Sequence, residues 1–125
     1  GIDVGLFCAT PSVPLSRNVP AKVAMEMLLT GGFLSAREAM DRGLVNRVVP
    51  AAGLPAAVGA LVDAILSKPR DAVALGKAVF YQHRETGIEA AYQLAGQAMV
   101  CNLALEATQE GLQAFVDKRP PNWRA

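Results

Sequence analysis

Apolar positions recur along this chain with two different spacings. Ile2 to Phe7 is a short apolar run, and a β-rich run from Leu44 to Val49 ends at Pro50. Both runs have the length and composition of strands. From residue 54 onward the apolar stripe of a 3.6-residue helix is formed by Leu54, Val58, Leu61 and Ile65. The pattern therefore predicts two short strands and a run of helices.

Capping residues and chain breakers set the bounds of the helices in the first part of the chain. Pro20 and Gly31 bracket one helix, with proline at its first turn and glycine just past its end. Ser35 and Glu38 have the spacing of a capping box. That box predicts a second, short helix, which ends at Gly43.

Two prolines follow the first apolar run. Pro11 and Pro14 fix two backbone angles and remove two backbone donors, so residues 10–14 are predicted to form a loop or a single stiff helical turn. A sheet of only two short strands is marginal alone. We therefore expect Ile2 to Phe7 to pair with strands that are not among these 125 residues.

Helical spacing continues to the end of the chain. Ala72 to Tyr81 is predicted to be a helix, and Glu89 to Leu105 a longer, alanine-rich one. Its seam of small side chains would let another helix approach closely. Thr108 is predicted to cap a last helix, Gln109 to Lys118, which the following proline pair ends.

Composition and charge narrow the class of protein. The chain has 125 residues, 52% of them hydrophobic, which suits one folded domain rather than a disordered segment. Twelve basic and eleven acidic residues give a net charge of +1 and are interspersed, so a nucleic-acid partner is not expected. No apolar stretch approaches the roughly 18 residues of a membrane span, so no membrane partner is expected either.

Few side chains offer catalytic or metal-binding chemistry by themselves. Cys8 and Cys101 lie far apart and His83 is the single histidine, so no metal site is expected. We predict reduced, buried thiols in a cytoplasmic protein, or in the mitochondrial matrix if the source is eukaryotic. His83 is predicted to be solvated at a polar helix end, and Glu106 and Glu110 to lie on a solvated helix face.

Three stretches together resemble a known family. The stretch MEMLLTGGFLSAREAMDRGLVNRVVP contains, in order, L-x-T-G, A-x-E-A, G-L-V and V-V-P. This ordered set closely resembles the enoyl-CoA hydratase/isomerase (crotonase) superfamily, and most of all its enoyl-CoA hydratase domain-containing subgroup. EGLQAFVDKRPPNW resembles the family's C-terminal helix, and GIDVGLFCATPSVPLSR resembles a strand and turn of its active site. The resemblance covers essentially the whole chain but only the C-terminal half of a family member.

This resemblance implies a fold and a division of the chain. The fold class is expected to be mostly α with two short β segments, as the C-terminal half of a crotonase-like (ClpP/crotonase) α/β fold. Residues 1–50 would be the end of the crotonase core, and residues 51–125 a helical oligomerisation region. A homo-oligomer, a trimer or a multiple of it, is the implied assembly.

The resemblance also implies a function. The intact parent would act on acyl-CoA thioesters by stabilising an enolate, with carboxylates moving protons. Coenzyme A would be part of the substrate, and no separate cofactor is implied. Because the donors of the oxyanion hole belong to the other half of the family's fold, the chain alone is expected to be inactive. A non-catalytic helical oligomerisation or interaction module is the alternative, and we expect the chain to self-associate.

Five residues are candidates for the site. Gly1 falls where hydratases of the family carry a glutamate, and Ala9 where a dienoyl-CoA isomerase adds an aspartate. Neither can move a proton, so hydratase chemistry is not expected from them. Asp3 is the nearest carboxylate, although it could also simply face solvent from a strand. The resemblance places Phe115 at the adenine or acyl region and Lys118 at a CoA phosphate, with a core position for Phe115 equally open.

Overall fold

The computed structural model describes residues 1–123, and within them every regular element is helical. Single 3-10 turns span Ile2–Val4 and Ala51–Gly53. The α-helices are α1 (Ala9–Asn18), α2 (Ala21–Thr30), α3 (Ala36–Asp41), α4 (Leu54–Leu66), α5 (Arg70–His83), α6 (Ile88–Leu103) and α7 (Glu106–Val116). The chain divides into two compact units, the first spanning Gly1–Leu54 and the second beginning at Pro55. The expectation of a mostly α chain is confirmed.

The two predicted strands are wrong. Ile2–Val4 is a 3-10 turn, closed by Gly5 in the left-handed conformation (φ 76°), whose N–H donates to the carbonyl of Ile2 at 2.9 Å. Residues 44–46 form bends and residues 47–49 have no regular secondary structure, so no strand forms there. A strand needs a neighbour to satisfy its backbone groups, and the part of the chain that the structure describes supplies none. Apolar composition alone therefore misled the assignment.

The stretch with two prolines is more regular than predicted. α1 runs as a helix through Pro11 and Pro14. Pro11 lies in the first turn, where the backbone N–H would be without an intrahelical partner in any case. At the other end of α1 the Asn18 amide donates to the carbonyl of Pro14 at 2.7 Å. The prediction of a loop or a single stiff helical turn is wrong, since the helix has ten residues. It can continue because only Pro14 costs it a hydrogen bond.

The capping predictions for α2 and α3 are confirmed. α2 ends at Gly31, which has φ 67° and donates its N–H to the carbonyl of Met27 at 3.1 Å. At the start of α3 the Ser35 hydroxyl accepts from the N–H of Glu38 at 3.2 Å, and the Glu38 carboxylate accepts from the N–H of Ser35 at 2.8 Å. The hydrogen bond from the Ser35 hydroxyl, with the one from its N–H, lowers the pKa of Glu38.

In the second unit α5 and α6 pack along each other, and α7 contacts both. The last helix begins before its predicted start, since Leu105 is the N-cap of α7. Thr108 lies inside α7, and its hydroxyl donates to the carbonyl of Asn102 at 2.6 Å. The prediction that Thr108 caps its own helix is therefore wrong. Its hydroxyl instead satisfies a backbone carbonyl at the C-terminal end of α6.

The described residues bury few apolar side chains. The buried ones are Val19, Ala24, Ala39 and Ala114. Larger apolar groups stay exposed, including Leu66 at 74% and Phe33 at about its full area. Such extensive apolar exposure is unusual for a protein that works as an isolated monomer.

The cysteines differ from the prediction of two buried thiols. Cys8 is half-buried and Cys101 is exposed, and both are free. The prediction is wrong for Cys101 because α6 presents that position to solvent in this chain. Across residues 1–123 no single helix could span a bilayer; α4 with its preceding turn reaches the required length and apolarity only when counted together with α5, across a 102° bend.

Candidate functional site

Gly1 lies against a thiol. Its carbonyl accepts hydrogen bonds from the N–H groups of Val4 at 3.0 Å and Leu6 at 3.1 Å, so it closes the first turn of the chain. A Cβ built on Gly1 would overlap the sulfur of Cys8 and lie 3.0 Å from the carbonyl oxygen of Leu6. Cys8 therefore occupies the space that any side chain at position 1 would need.

Asp3 has a defined place over the end of α2. A Cβ built on Gly31 would lie 2.8 Å from Oδ2 of Asp3 and 3.0 Å from Cγ2 of Ile2. Ala9 is the first residue of α1, and its N–H donates to the carbonyl of Phe7 at 2.8 Å. The acid predicted to sit on a strand thus belongs to a 3-10 turn that packs on the glycine of a helix end.

The two residues expected at CoA lie at the C-terminal end of α7. Phe115 is 84% exposed, so the core position left open for it does not hold in this chain. Lys118 follows the helix with φ 53°, and no other non-glycine residue among those described has a positive φ. Its N–H donates to the carbonyl of Phe115 at 3.3 Å, and the N–H of Arg119 donates to the carbonyl of Ala114 at 3.0 Å. These two bonds make the helix end a Schellman motif.

A group of side chains, here called the C-terminal clasp, ties the residues after α7 back to the helix. It consists of Glu110, Asp117, Arg119 and Asn122. Arg119 binds Glu110 with two parallel hydrogen bonds, Nη1 to Oε1 at 2.7 Å and Nη2 to Oε2 at 3.0 Å. The N–H of Asn122 adds a bond to Oε1 of Glu110 at 2.7 Å. The hydrogen bond with Glu110 is the main cause that raises the pKa of Arg119.

The tail beyond the clasp is anchored by its tryptophan. Nε1 of Trp123 donates to the carbonyl of Ser67, just after α4, at 2.9 Å. A Cβ built on Gly111 would lie 3.2 Å from the Trp123 ring, so a glycine in α7 allows the ring to approach closely. The clasp and this anchor were not predicted from the sequence, which placed Glu110 on a solvated helix face. The bonds to Glu110 and the bond from Trp123 join residues nine or more positions apart, and no local pattern marks them.

The described residues hold no group of three or more His, Cys, Asp or Glu side chains placed closely enough to bind one metal ion. A shallow depression in the second unit is lined by three carboxylates, from Asp71, Glu106 and Glu110. Their charge disfavours a phosphate there. The end of α7, where Lys118 lies outside the ion pairs of the clasp, is thus a better place than this depression for an anionic ligand.

Known proteins of one family resemble this chain in sequence and in structure. Residues 1–125 match the sequence model of the enoyl-CoA hydratase/isomerase family. Mouse enoyl-CoA hydratase domain-containing protein 3, mitochondrial, is 52% identical over 98% of this chain and 41% of its own length. A solved enoyl-CoA hydratase from Mycobacterium smegmatis is 54% identical with a TM-score of 0.97, over 100% of this chain and 49% of that one.

The human enoyl-CoA hydratase domain-containing protein 3 has also been solved. It is 50% identical with a TM-score of 0.93, over 98% of this chain and 49% of its own. The chain thus spans less than half the length of these relatives and corresponds to their C-terminal half. With a match over its full length, the chain belongs to the enoyl-CoA hydratase/isomerase family.

Proposed function

We propose that this chain contributes the CoA-binding and assembly half of a protein that acts on acyl-CoA thioesters. The observation that carries the proposal is the end of α7, where an exposed aromatic ring, Phe115, lies three positions before a cation, Lys118. An aromatic face suits an adenine ring, and an ammonium suits a phosphate. Coenzyme A would enter as part of the substrate, without a separate cofactor.

The proposed chemistry is stabilisation of an enolate at the thioester, in the lyase or isomerase class. Gly1 and Ala9 carry no acid, so water addition would need a proton carrier elsewhere. Asp3 is the candidate on this chain, since Gly31 allows its carboxylate to lie on the end of α2. The donors that polarise the thioester carbonyl would come from the other half of the fold, and the chain alone would not turn over substrate.

The compartment follows the relatives only for a eukaryotic source. The mouse and human proteins are named as mitochondrial, and we propose the mitochondrial matrix in that case. For a bacterial source we propose the cytoplasm.

A hybrid protein tests the proposed function. In it, these 125 residues replace the matching half of the Mycobacterium smegmatis enoyl-CoA hydratase, which is similar enough to complete the fold. We expect the hybrid to bind crotonyl-CoA in isothermal titration, and the Phe115→Ala/Lys118→Ala hybrid to bind it at least about tenfold more weakly, because one stacking and one ionic contact are lost.

The unmodified hydratase and a Lys77→Ala hybrid are the controls. Lys77 is an exposed lysine on α5, away from the end of α7 in sequence. A folded hybrid that does not bind crotonyl-CoA would refute the CoA-binding proposal and favour a purely structural module.

Assembly is the second candidate function. α4 exposes Val58, Leu61, Val62 and Ile65 to between 43% and 52% of their areas. An apolar face of this kind calls for a covering partner, and a homo-oligomer, trimeric or a multiple of it, would supply one.

We expect the 125-residue chain to sediment as an oligomer at micromolar concentration, and Leu61→Glu/Ile65→Glu to shift it to monomer. Burying two charges at a contact between copies of the chain would cost more free energy than burial of the apolar face contributes. Lys77→Glu is the control, because it changes the net charge by the same amount. A monodisperse monomer for the unchanged chain would refute self-association.

A further inference from the structure

Lys118 occupies a position that normally belongs to glycine. In the Schellman motif at the end of α7 it is the left-handed residue, with φ 53°. A side chain with a Cβ is strained in this region, whereas glycine is not. Residues held in such conformations often lie at functional sites, where the surrounding structure over-determines them.

The clasp holds the backbone around Lys118 in this conformation. On one side of Lys118, Oδ1 of Asp117 accepts from Nε2 of Gln113 at 2.8 Å. On the other side Arg119 binds Glu110 through both terminal nitrogens, and its Nε donates to Oδ2 of Asp117 at 3.3 Å. Both neighbours of Lys118 are therefore fixed to α7 by side-chain bonds. Within residues 1–123, no hydrogen bond or ion pair engages the ammonium of Lys118 itself.

Lys118 is the cation that the clasp leaves accessible to a ligand. The guanidinium of Arg119 is paired with two carboxylates, Glu110 and Asp117. With two carboxylates and one guanidinium, the ion pairs of the clasp leave one negative charge, and Lys118 is the cation at this helix end that the clasp does not engage. A flexible lysine in an unconstrained tail would have to be ordered on binding, which weakens affinity.

We propose that Glu110 and Arg119 are positioning residues, whose ion pair locks Lys118 in the left-handed conformation and thereby presents its ammonium to a phosphate of coenzyme A. The inference rests on the proposed function of the α7 end. It adds that the strained backbone of Lys118 serves binding. At this position a substitution that relieves the strain would therefore raise the stability of the fold and lower the affinity for coenzyme A.

Titration of the whole 125-residue chain with coenzyme A and with pantetheine, which lacks the phosphates, tests the inference. The ratio of the two affinities isolates the phosphate contact. We expect Lys118→Ala and Lys118→Gly to lower that ratio about tenfold, as for one charged hydrogen bond. Only Lys118→Gly should also raise the unfolding temperature, by roughly 4 °C, because only glycine relieves the backbone.

Variants of the clasp separate positioning from simple stability. Glu110→Gln should lower the ratio of affinities severalfold although it leaves Lys118 in place, and Glu110→Asp, which keeps a carboxylate for Arg119 and for the N–H of Asn122, should lower it less. Lys77→Ala should leave both the ratio and the unfolding temperature unchanged. A merely structural clasp would change the unfolding temperature without changing the ratio.

The outcomes distinguish the two proposals. If the unchanged chain prefers coenzyme A and Lys118→Ala removes that preference, but Glu110→Gln retains it, the positioning role is overturned and the CoA site stands. If the unchanged chain binds coenzyme A no better than pantetheine, the CoA site itself is overturned. If Lys118→Gly leaves the unfolding temperature unchanged, the claim that the backbone of Lys118 is strained is overturned.

Discussion

Gly31→Ala should lower the free energy of unfolding by roughly 3 kcal/mol, from about 1–2 kcal/mol for a left-handed alanine and a similar amount for crowding. At Gly31 φ is 67°, and the new methyl group would lie 2.8 Å from Oδ2 of Asp3 and 3.0 Å from Cγ2 of Ile2. The side chains of Asp3 and Ile2 would have to move off the end of α2. Urea unfolding followed by circular dichroism measures the loss.

Gly43→Ala is the matched control for this prediction. Gly43 is also left-handed, with φ 80°, but a Cβ there would meet only the carbonyl oxygen of Asn18, at an ordinary 3.8 Å. This variant should cost about 1–2 kcal/mol, the conformational part alone. Equal losses for the two variants would show that the contact between Asp3 and α2 does not constrain the turn.

Gly1→Glu should restore little hydration of crotonyl-CoA in the hybrid protein, whereas Gly1→Glu/Cys8→Gly should raise the rate at least about 100-fold. A glutamate can move the proton that Gly1 cannot. In the single variant its Cβ would meet the sulfur of Cys8, and the carbonyl oxygen of Leu6 at 3.0 Å would leave little room to avoid it. Removing the Cys8 side chain clears the path of the new carboxylate.

Cys8→Gly alone is the control and should remain inactive. If the single Gly1→Glu hybrid is as active as the double variant, Cys8 does not obstruct position 1. If neither hybrid gains activity, position 1 is not where the proton is transferred, and Asp3 becomes the carboxylate to replace next. Product formation followed by chromatography measures the rates.

Local signals in the sequence were sufficient for most of the helices. The proline and glycine around α2 and the Ser35–Glu38 box acted as predicted, since their hydrogen bonds join residues three or four positions apart. The strand prediction for Ile2 to Phe7 failed for the opposite reason. A strand depends on partners elsewhere, and without them the backbone closes a 3-10 turn on itself.

The site was predictable only in part. Family motifs pointed to Phe115 and Lys118, but nothing in the sequence indicates that Lys118 is left-handed or that Glu110 binds Arg119. The approach of Cys8 to Gly1 depends on how the first turn closes. These features arise from contacts across turns and helix ends, which residue patterns do not encode.

The single tryptophan of the chain makes the docking of its tail optically visible. Because the indole N–H donates to the carbonyl of Ser67 and the ring lies on Gly111, its emission reports whether Trp123 is docked on α7. Ligand binding near Lys118 and release of the tail can therefore be separated in one cuvette, without an added dye.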